Sequence, residues 1–220
     1  MLQGALFDMD GLMFDTERIG RDGWLAAARQ LGIAIPGTVI AAMRGTGTDA
    51  CRTLFNAAIP GAHYDEAHAL RLRYADEVIR REGLPVKPGL YELLDWLGAQ
   101  GIPAVLATST RRETALAYLE AAGVADRFAA AVFGPEVRRP KPAPDVFLAA
   151  AAAIGAAPAA CVVLEDSPNG LKAARAAGCK AVVVPDLTPA PPRAEGLWDA
   201  CVPTLRDAVP VLAQWHAAAR

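Results

Sequence analysis

The chain has 220 residues, of which 53% are hydrophobic and 21% charged, with a formal net charge of -2. That apolar content supports a sizeable core and excludes a disordered chain, while the near balance of charge argues against nucleic-acid and membrane-surface partners. The length fits one domain carrying an insertion, or two small domains.

The first apolar run, Gly4–Phe7, predicts a buried strand that ends in two carboxylates, Asp8 and Asp10, in the stretch "ALFDMDG". From about residue 16 to residue 82 no strand pattern follows. The segments "RIGRDGWLAAARQL", "DACRTLFNAAI" and "YDEAHALRLRYADEVIRR" read as amphipathic helices separated by Gly/Pro punctuation. "EGLPVKPG" is the expected linker out of this helical segment. Leu90–Gln100 then places Leu90, Leu93, Leu94 and Leu97 on one helical stripe. Four further apolar runs without polar alternation predict strands covered on both faces: Pro103–Ala107, Ala130–Phe133, Cys161–Leu164 and Ala181–Val184. Helices are expected between them. Thr110–Ala122 opens with the capping-box spacing Thr110-x-x-Glu113, and Val146–Ile154 is apolar. Pro168–Ala177 has Ser167 as its N-cap and Gly178 as its stop. A Pro-rich loop precedes a last helix near Leu205–Ala217. Strands alternating with helices imply an α/β fold with a mostly parallel sheet, interrupted after its first strand by an inserted helical module. The expected division is a core of residues 1–15 and 84–220 and a helical cap of residues 16–83.

Cys51, Cys161, Cys179 and Cys201 are widely spaced and contain no C-x-x-C, which fits free thiols in a reducing cytosol. No run is long and apolar enough to cross a bilayer, and no basic-then-apolar segment opens the chain. The expectation is a cytoplasmic protein without nucleic-acid or membrane partners, and a monomer needs no extra assumption.

Open parallel sheets bind ligands at the carboxyl ends of their strands. Three predicted strands end there in polar residues: Asp8 and Asp10, then Thr108-Ser109-Thr110, then Glu165-Asp166. Lys141 sits nearby in "RRPKPAPD", a loop stiffened by prolines. Asp8 and Asp10 point the same way in an extended chain and, with Asp166, form an oxygen-rich nest suited to Mg²⁺. Lys141 adds a point positive charge, and hydroxyls and N–H groups at Thr108 and Ser109 suit an anion. Together these residue types describe phosphoryl transfer, with a carboxylate as a possible nucleophile.

The stretches "FDMDGLMFDTE", "LATST", "RRPKPAPDVF" and "VVLEDSPNG" resemble, in order, the four signature motifs of the haloacid dehalogenase-like superfamily. The subgroup most resembled carries a helical cap after the first strand and includes beta-phosphoglucomutase and phosphoglycolate-phosphatase-like enzymes. The resemblance implies a Rossmann-like core with a mobile helical cap. It implies Asp8 as the nucleophile that becomes phosphorylated and Asp10 as general acid, then general base. Thr108 and Ser109 would bind the phosphoryl oxygens, and Lys141 would stabilise their charge. Asp8, Asp166 and the Asp10 carbonyl would hold Mg²⁺, with Glu165 supporting the metal site from behind.

Two departures bear on the reaction. The beta-phosphoglucomutase cap histidine that restrains the acid/base aspartate has its counterpart at Gly20, and the cap arginine that grips phosphate has its counterpart at Thr48, with Arg44 and Arg52 nearby. Arg44 and Thr48 are the cap candidates for substrate contact. The leading expectation is a Mg²⁺-dependent phosphatase acting on a small phosphorylated metabolite such as a sugar phosphate. The alternatives are a phosphomutase of the beta-phosphoglucomutase type and a non-catalytic binding protein on the same fold. His63, His68 and His216 lack ligand spacing, and Phe14, Trp24 and Tyr74 are expected to pack rather than bind.

Overall fold

The computed structural model describes residues 1–218. Strand β1 (Gly4–Phe7) leads into four helices: α1 (Thr16–Leu31), α2 (Gly37–Met43), α3 (Thr48–Ala58) and α4 (Tyr64–Glu82). The chain then runs α5 (Leu90–Gln100), β2 (Ala104–Thr108), α6 (Arg112–Ala121), β3 (Phe128–Phe133) and α7 (Asp145–Ala153). It continues through β4 (Cys161–Glu165), α8 (Pro168–Ala177), β5 (Lys180–Val183), β6 (Ala200–Cys201) and α9 (Leu205–Ala217).

The strands form one sheet in the order β3-β2-β1-β4-β5-β6, and all its pairs are parallel. The chain builds outward from β1 in one direction through β2 and β3, and in the other through β4, β5 and β6. The order therefore reverses between β1 and β4, which pair Ala5 with Val162 and Phe7 with Leu164. A crevice opens at such a reversal, beyond the carboxyl ends of the strands. β1, β2 and β4 are buried along their whole length, which explains their continuous apolar runs. One face packs on α5, α6 and α9 through Phe7, Leu93, Leu106 and Leu212, and the other on α7 and α8 through Leu6, Phe147, Val163 and Leu171.

Helices α1–α4 enclose a separate apolar cluster of Trp24, Ile40, Met43, Phe55 and Tyr64. Trp24 lies 5.8 Å from Phe55 and 6.0 Å from Tyr64 between ring centroids. The chain enters and leaves this module side by side. Phe14 bridges Val86 in antiparallel fashion, Asp15 N–H donates to Pro85 O at 2.9 Å, and Lys87 N–H donates to Met13 O at 2.8 Å.

Several predicted elements match the structure to the residue, including β1, α5, α8 and α9. Ser167 accepts the Gly170 N–H, and Gly178 turns into the left-handed region that stops α8. Three features depart. α2 lies between two stretches of glycine punctuation where no element is predicted, because Ile40 and Met43 gain burial in the cluster that no local signal announces. β6 is a two-residue edge strand held by Val182 and Val183. The capping box at Thr110 does not form: α6 starts at Arg112 without a side-chain cap, and Thr110 bonds to Asp10 at the carboxyl edge of the sheet instead. All four cysteines are free, with Cys161 and Cys179 buried, and no helix among the described residues is long and apolar enough to cross a membrane.

Candidate active site

The carboxyl ends of β1, β2 and β4 bring the predicted polar residues together. Asp8 directly follows β1, where its N–H donates to Leu164 O at 3.1 Å. Its carboxylate accepts from Lys141 Nζ at 2.5 Å. Lys141 also donates to Glu165 Oε1 at 2.8 Å, and its Nζ lies 4.8 Å from the Phe147 ring centroid. The other oxygen of Glu165 accepts from the N–H groups of Asp166 and Ser167 and from the Ser167 hydroxyl at 2.8–2.9 Å. Both Glu165 oxygens are thus engaged, and the residue fixes Lys141 and the start of α8 at once.

Asp10 lies two residues beyond Asp8 and is held differently. Thr16 Oγ1 donates to one of its oxygens and Thr110 Oγ1 to the other, each at 2.6 Å. The first threonine opens α1 and the second follows β2, so Asp10 joins the helical module to the sheet edge. Neither threonine was singled out from sequence for this task. Gly11 follows at φ 83°, with the Asp166 carboxylate where a Cβ would stand, so a side chain there would meet both backbone strain and a carboxylate.

Oxygens of Asp8, Glu165 and Asp166 lie within 4.8 Å of one another, all three residues being buried. Three carboxylates and one ammonium leave an excess of negative charge in a space with little water. Burial pushes Asp8 up to about 8 against the pull of Lys141, with Glu165 adding to the rise. Burial likewise holds Asp166 well above the carboxylate range, helped by Glu165 and Asp8. Burial alone would depress Lys141, but the two carboxylates outweigh it and keep the ammonium protonated. Hard oxygen donors with negative charge left uncompensated fit a divalent cation such as Mg²⁺.

Thr108 is fully buried, its hydroxyl accepting the Thr110 N–H at 3.0 Å, while Ser109 and Thr110 form the wall of the crevice itself. The crevice is a cavity of about 360 Å³ between the sheet edge and the helical module, within the range of small-ligand sites. Arg44 and Thr48 both line it. Arg44 also donates from Nη1 to Thr188 Oγ1 at 2.8 Å, across to the loop after β5. Glu17, on the first turn of α1, faces the same space and is pushed up to about 7 by burial and then by the charge of Asp10, with Arg71 and Arg44 opposing. Of the histidines, His68 lines the cavity while stacked on Tyr64 at 5.2 Å, and burial followed by the charges of Arg71 and Arg111 lowers its pKa.

The sequence matches the family described as haloacid dehalogenase-like hydrolase over residues 2–178. It is 34% identical over 200 residues to the plasmid-encoded protein CbbY of Cupriavidus necator, covering 84% of this chain and 78% of that one. It is 35% identical over 184 residues to hexitol phosphatase A of Escherichia coli, covering 83% and 82%. The fold superposes on CbbY from Rhodobacter sphaeroides, solved in complex with phosphate, with a TM-score of 0.79 at 24% identity over 94% of this chain and 96% of that one.

Proposed function

This chain belongs to the haloacid dehalogenase-like hydrolases, enzymes of phosphoric monoester hydrolysis, and from that premise we propose that it dephosphorylates a small phosphorylated carbohydrate through an aspartyl phosphate on Asp8, with Mg²⁺ as cofactor. The observation that carries the reading is the unequal treatment of two aspartates. Asp8 is buried against an ammonium, whereas Asp10 is suspended between two hydroxyls.

In the first step a carboxylate oxygen of Asp8 attacks phosphorus, the bond to the leaving oxygen breaks, and Asp10 supplies that oxygen with a proton. In the second step Asp10 takes a proton from water, the water oxygen attacks phosphorus, and the bond to Asp8 breaks. A threonine hydroxyl donates to an ionised carboxylate and accepts from a protonated one, so Thr16 and Thr110 frame both states of Asp10. Lys141 neutralises Asp8 and the arriving phosphoryl charge, and hydroxyls and N–H groups from Thr108 to Thr110 receive phosphoryl oxygens. Asp8, Asp166 and the Asp10 carbonyl would hold Mg²⁺, with Glu165 behind them; when bound, the cation supplies the positive charge that brings two anions into contact. We propose residues 16–83 as a cap that closes over the substrate, and residues 1–15 and 84–220 as the core. Arg44 and Thr48 stand on the cap side of the cavity. All the proposed catalytic groups come from one chain, and the free thiols suit a reducing cytosol.

The kinship with a hexitol phosphatase supports a phosphorylated polyol or sugar as substrate. Gly20 leaves no side chain in the place where a mutase holds Asp10 back, which favours hydrolysis over intramolecular transfer. With an aryl phosphate and Mg²⁺ the wild type should release phosphate. Asp8→Asn should lower kcat by at least about 10³-fold, and chelation of Mg²⁺ should stop turnover reversibly. An inert wild type, or an active Asp8→Asn variant, rules the proposal out.

A further inference from the structure

Lys141 carries three N–H donors on a side chain that is 3% exposed. Two of them are taken, by Asp8 Oδ1 and Glu165 Oε1. The third has no hydrogen-bond acceptor among the described residues. The remaining neighbour of the ammonium is an aromatic face: Nζ lies over the Phe147 ring, 4.8 Å from its centroid.

Phe147 is fully buried in the apolar cluster that holds Leu6, Val105 and Val163, and it does not line the cavity. It therefore touches no substrate. It reaches Lys141 because both belong to one compact unit. Ala143 N–H donates to Pro140 O at 3.0 Å and closes the turn around Lys141, and Phe147 N–H donates to Pro144 O at 3.0 Å as α7 begins.

An aliphatic side chain could complete the core at this position. The charge of the site favours a ring. A third carboxylate on Lys141 would add to the negative charge already gathered by Asp8, Glu165 and Asp166. A ring presents a negative face without net charge, and its attraction for a cation is strongest where water is excluded. Nor does the ring change during the proposed reaction. Asp8 gives up its carboxylate charge on becoming an aspartyl phosphate and regains it on hydrolysis. One of the two ion pairs of Lys141 is thus rebuilt in every cycle, while the ring stays as it is.

We infer that Phe147 is a positioning residue: its ring face holds the Lys141 ammonium by a cation–π contact and keeps it in register with Asp8 and the phosphoryl oxygens through both steps. The inference rests on the phosphatase reading and adds to that site a part from outside the cavity.

The test replaces Phe147 by mono-, di- and trifluorinated phenylalanine, which weaken the ring face in steps while nearly keeping its shape, and by leucine. With an aryl phosphate and Mg²⁺, kcat should fall in order of fluorine number. In the trifluorinated variant and in Phe147→Leu it should reach roughly 2- to 30-fold below wild type, with KM changed less than about twofold. A second arm needs no turnover. Trifluorination should lower Tm by about 3 °C more in the protein with Lys141 than in Lys141→Met, where no cation faces the ring. Should Lys141→Met fail to fold, the kinetic series decides alone. A kcat that is flat across the fluorinated series overturns the inference, whatever Phe147→Leu does, because a packing role follows shape and not ring charge. Equal Tm losses with and without Lys141 overturn it too. A wild type inert on the aryl phosphate strikes the phosphatase reading instead, and the Tm comparison then decides whether the ring holds the ammonium.

Discussion

The two walls of the cavity are built on opposite terms. At the sheet edge every side chain of the proposed catalytic set but Asp166 has a partner in the protein: Lys141 has two carboxylates, Glu165 four donors, Asp10 two hydroxyls. On the helical side two guanidinium Nε atoms, those of Arg44 and Arg71, have none. Groups that must act in a fixed geometry are held by neighbours before substrate arrives, because reorganisation during the reaction would raise the barrier. Groups that select a substrate keep their valences open, because the substrate is the partner.

The contrast breaks first, and most visibly, in stability. Glu165→Ala leaves a buried lysine with one carboxylate and two N–H groups without acceptors, a loss of about 3–5 kcal/mol and of roughly 10 °C in Tm. Arg71→Met on the opposite wall removes no internal hydrogen bond and should cost less than about 1 kcal/mol. Thermal denaturation of the two variants side by side decides the matter, and similar losses would erase the distinction.

Glu17→Gln probes the boundary between the walls. The folded pKa of Glu17, about 7, lies above its ordinary value of 4.5. Between those values the folded protein binds more protons than the unfolded one, so this group's contribution is full below pH 4.5 and lost as pH rises through 7. The variant should therefore be more stable than wild type above pH 7, by about 3 kcal/mol, and equal to it near pH 4. Tm profiles that run parallel across that window would refute the shift.

The smallest effect sharpens the picture of the sheet edge. Thr110→Val keeps the shape and removes one donor to Asp10, and should lower kcat about tenfold with KM little changed, a loss near the strength of a hydrogen bond to a charged group. Thr110→Ser should recover most of it. An unchanged kcat would mean that Thr16 alone orients Asp10.

The sheet edge was legible because its information is local. Runs such as "CVVLED" state both burial and the polar residue that follows, and Ser167 with Gly178 bounds α8 without reference to any distant part of the chain. Thr110 was placed at the sheet edge, but its capping-box reading failed for the same reason: its local spacing offers a helix cap, while its partner, Asp10, is 100 residues away. Arg71 was invisible in sequence. It is one of several arginines along α4, and only the packing of α1, with Gly20 laid across it, distinguishes it from its solvent-facing neighbours.

The paired entry and exit of the helical module have an evolutionary consequence. Because Asp15 and Pro85 are hydrogen-bonded neighbours, the ends of the intervening segment already meet. The sheet therefore registers little more than a short bridge at that point, and the closure entropy of the loop grows only slowly with its length. Sequence between those two residues is free to lengthen, shrink or be replaced whole without disturbing strand register. New substrate preferences can thus be grafted onto the sheet edge, and a chimera joined at residues 17 and 85, which keeps the Thr16 hydroxyl on Asp10, is the natural cut for engineering one.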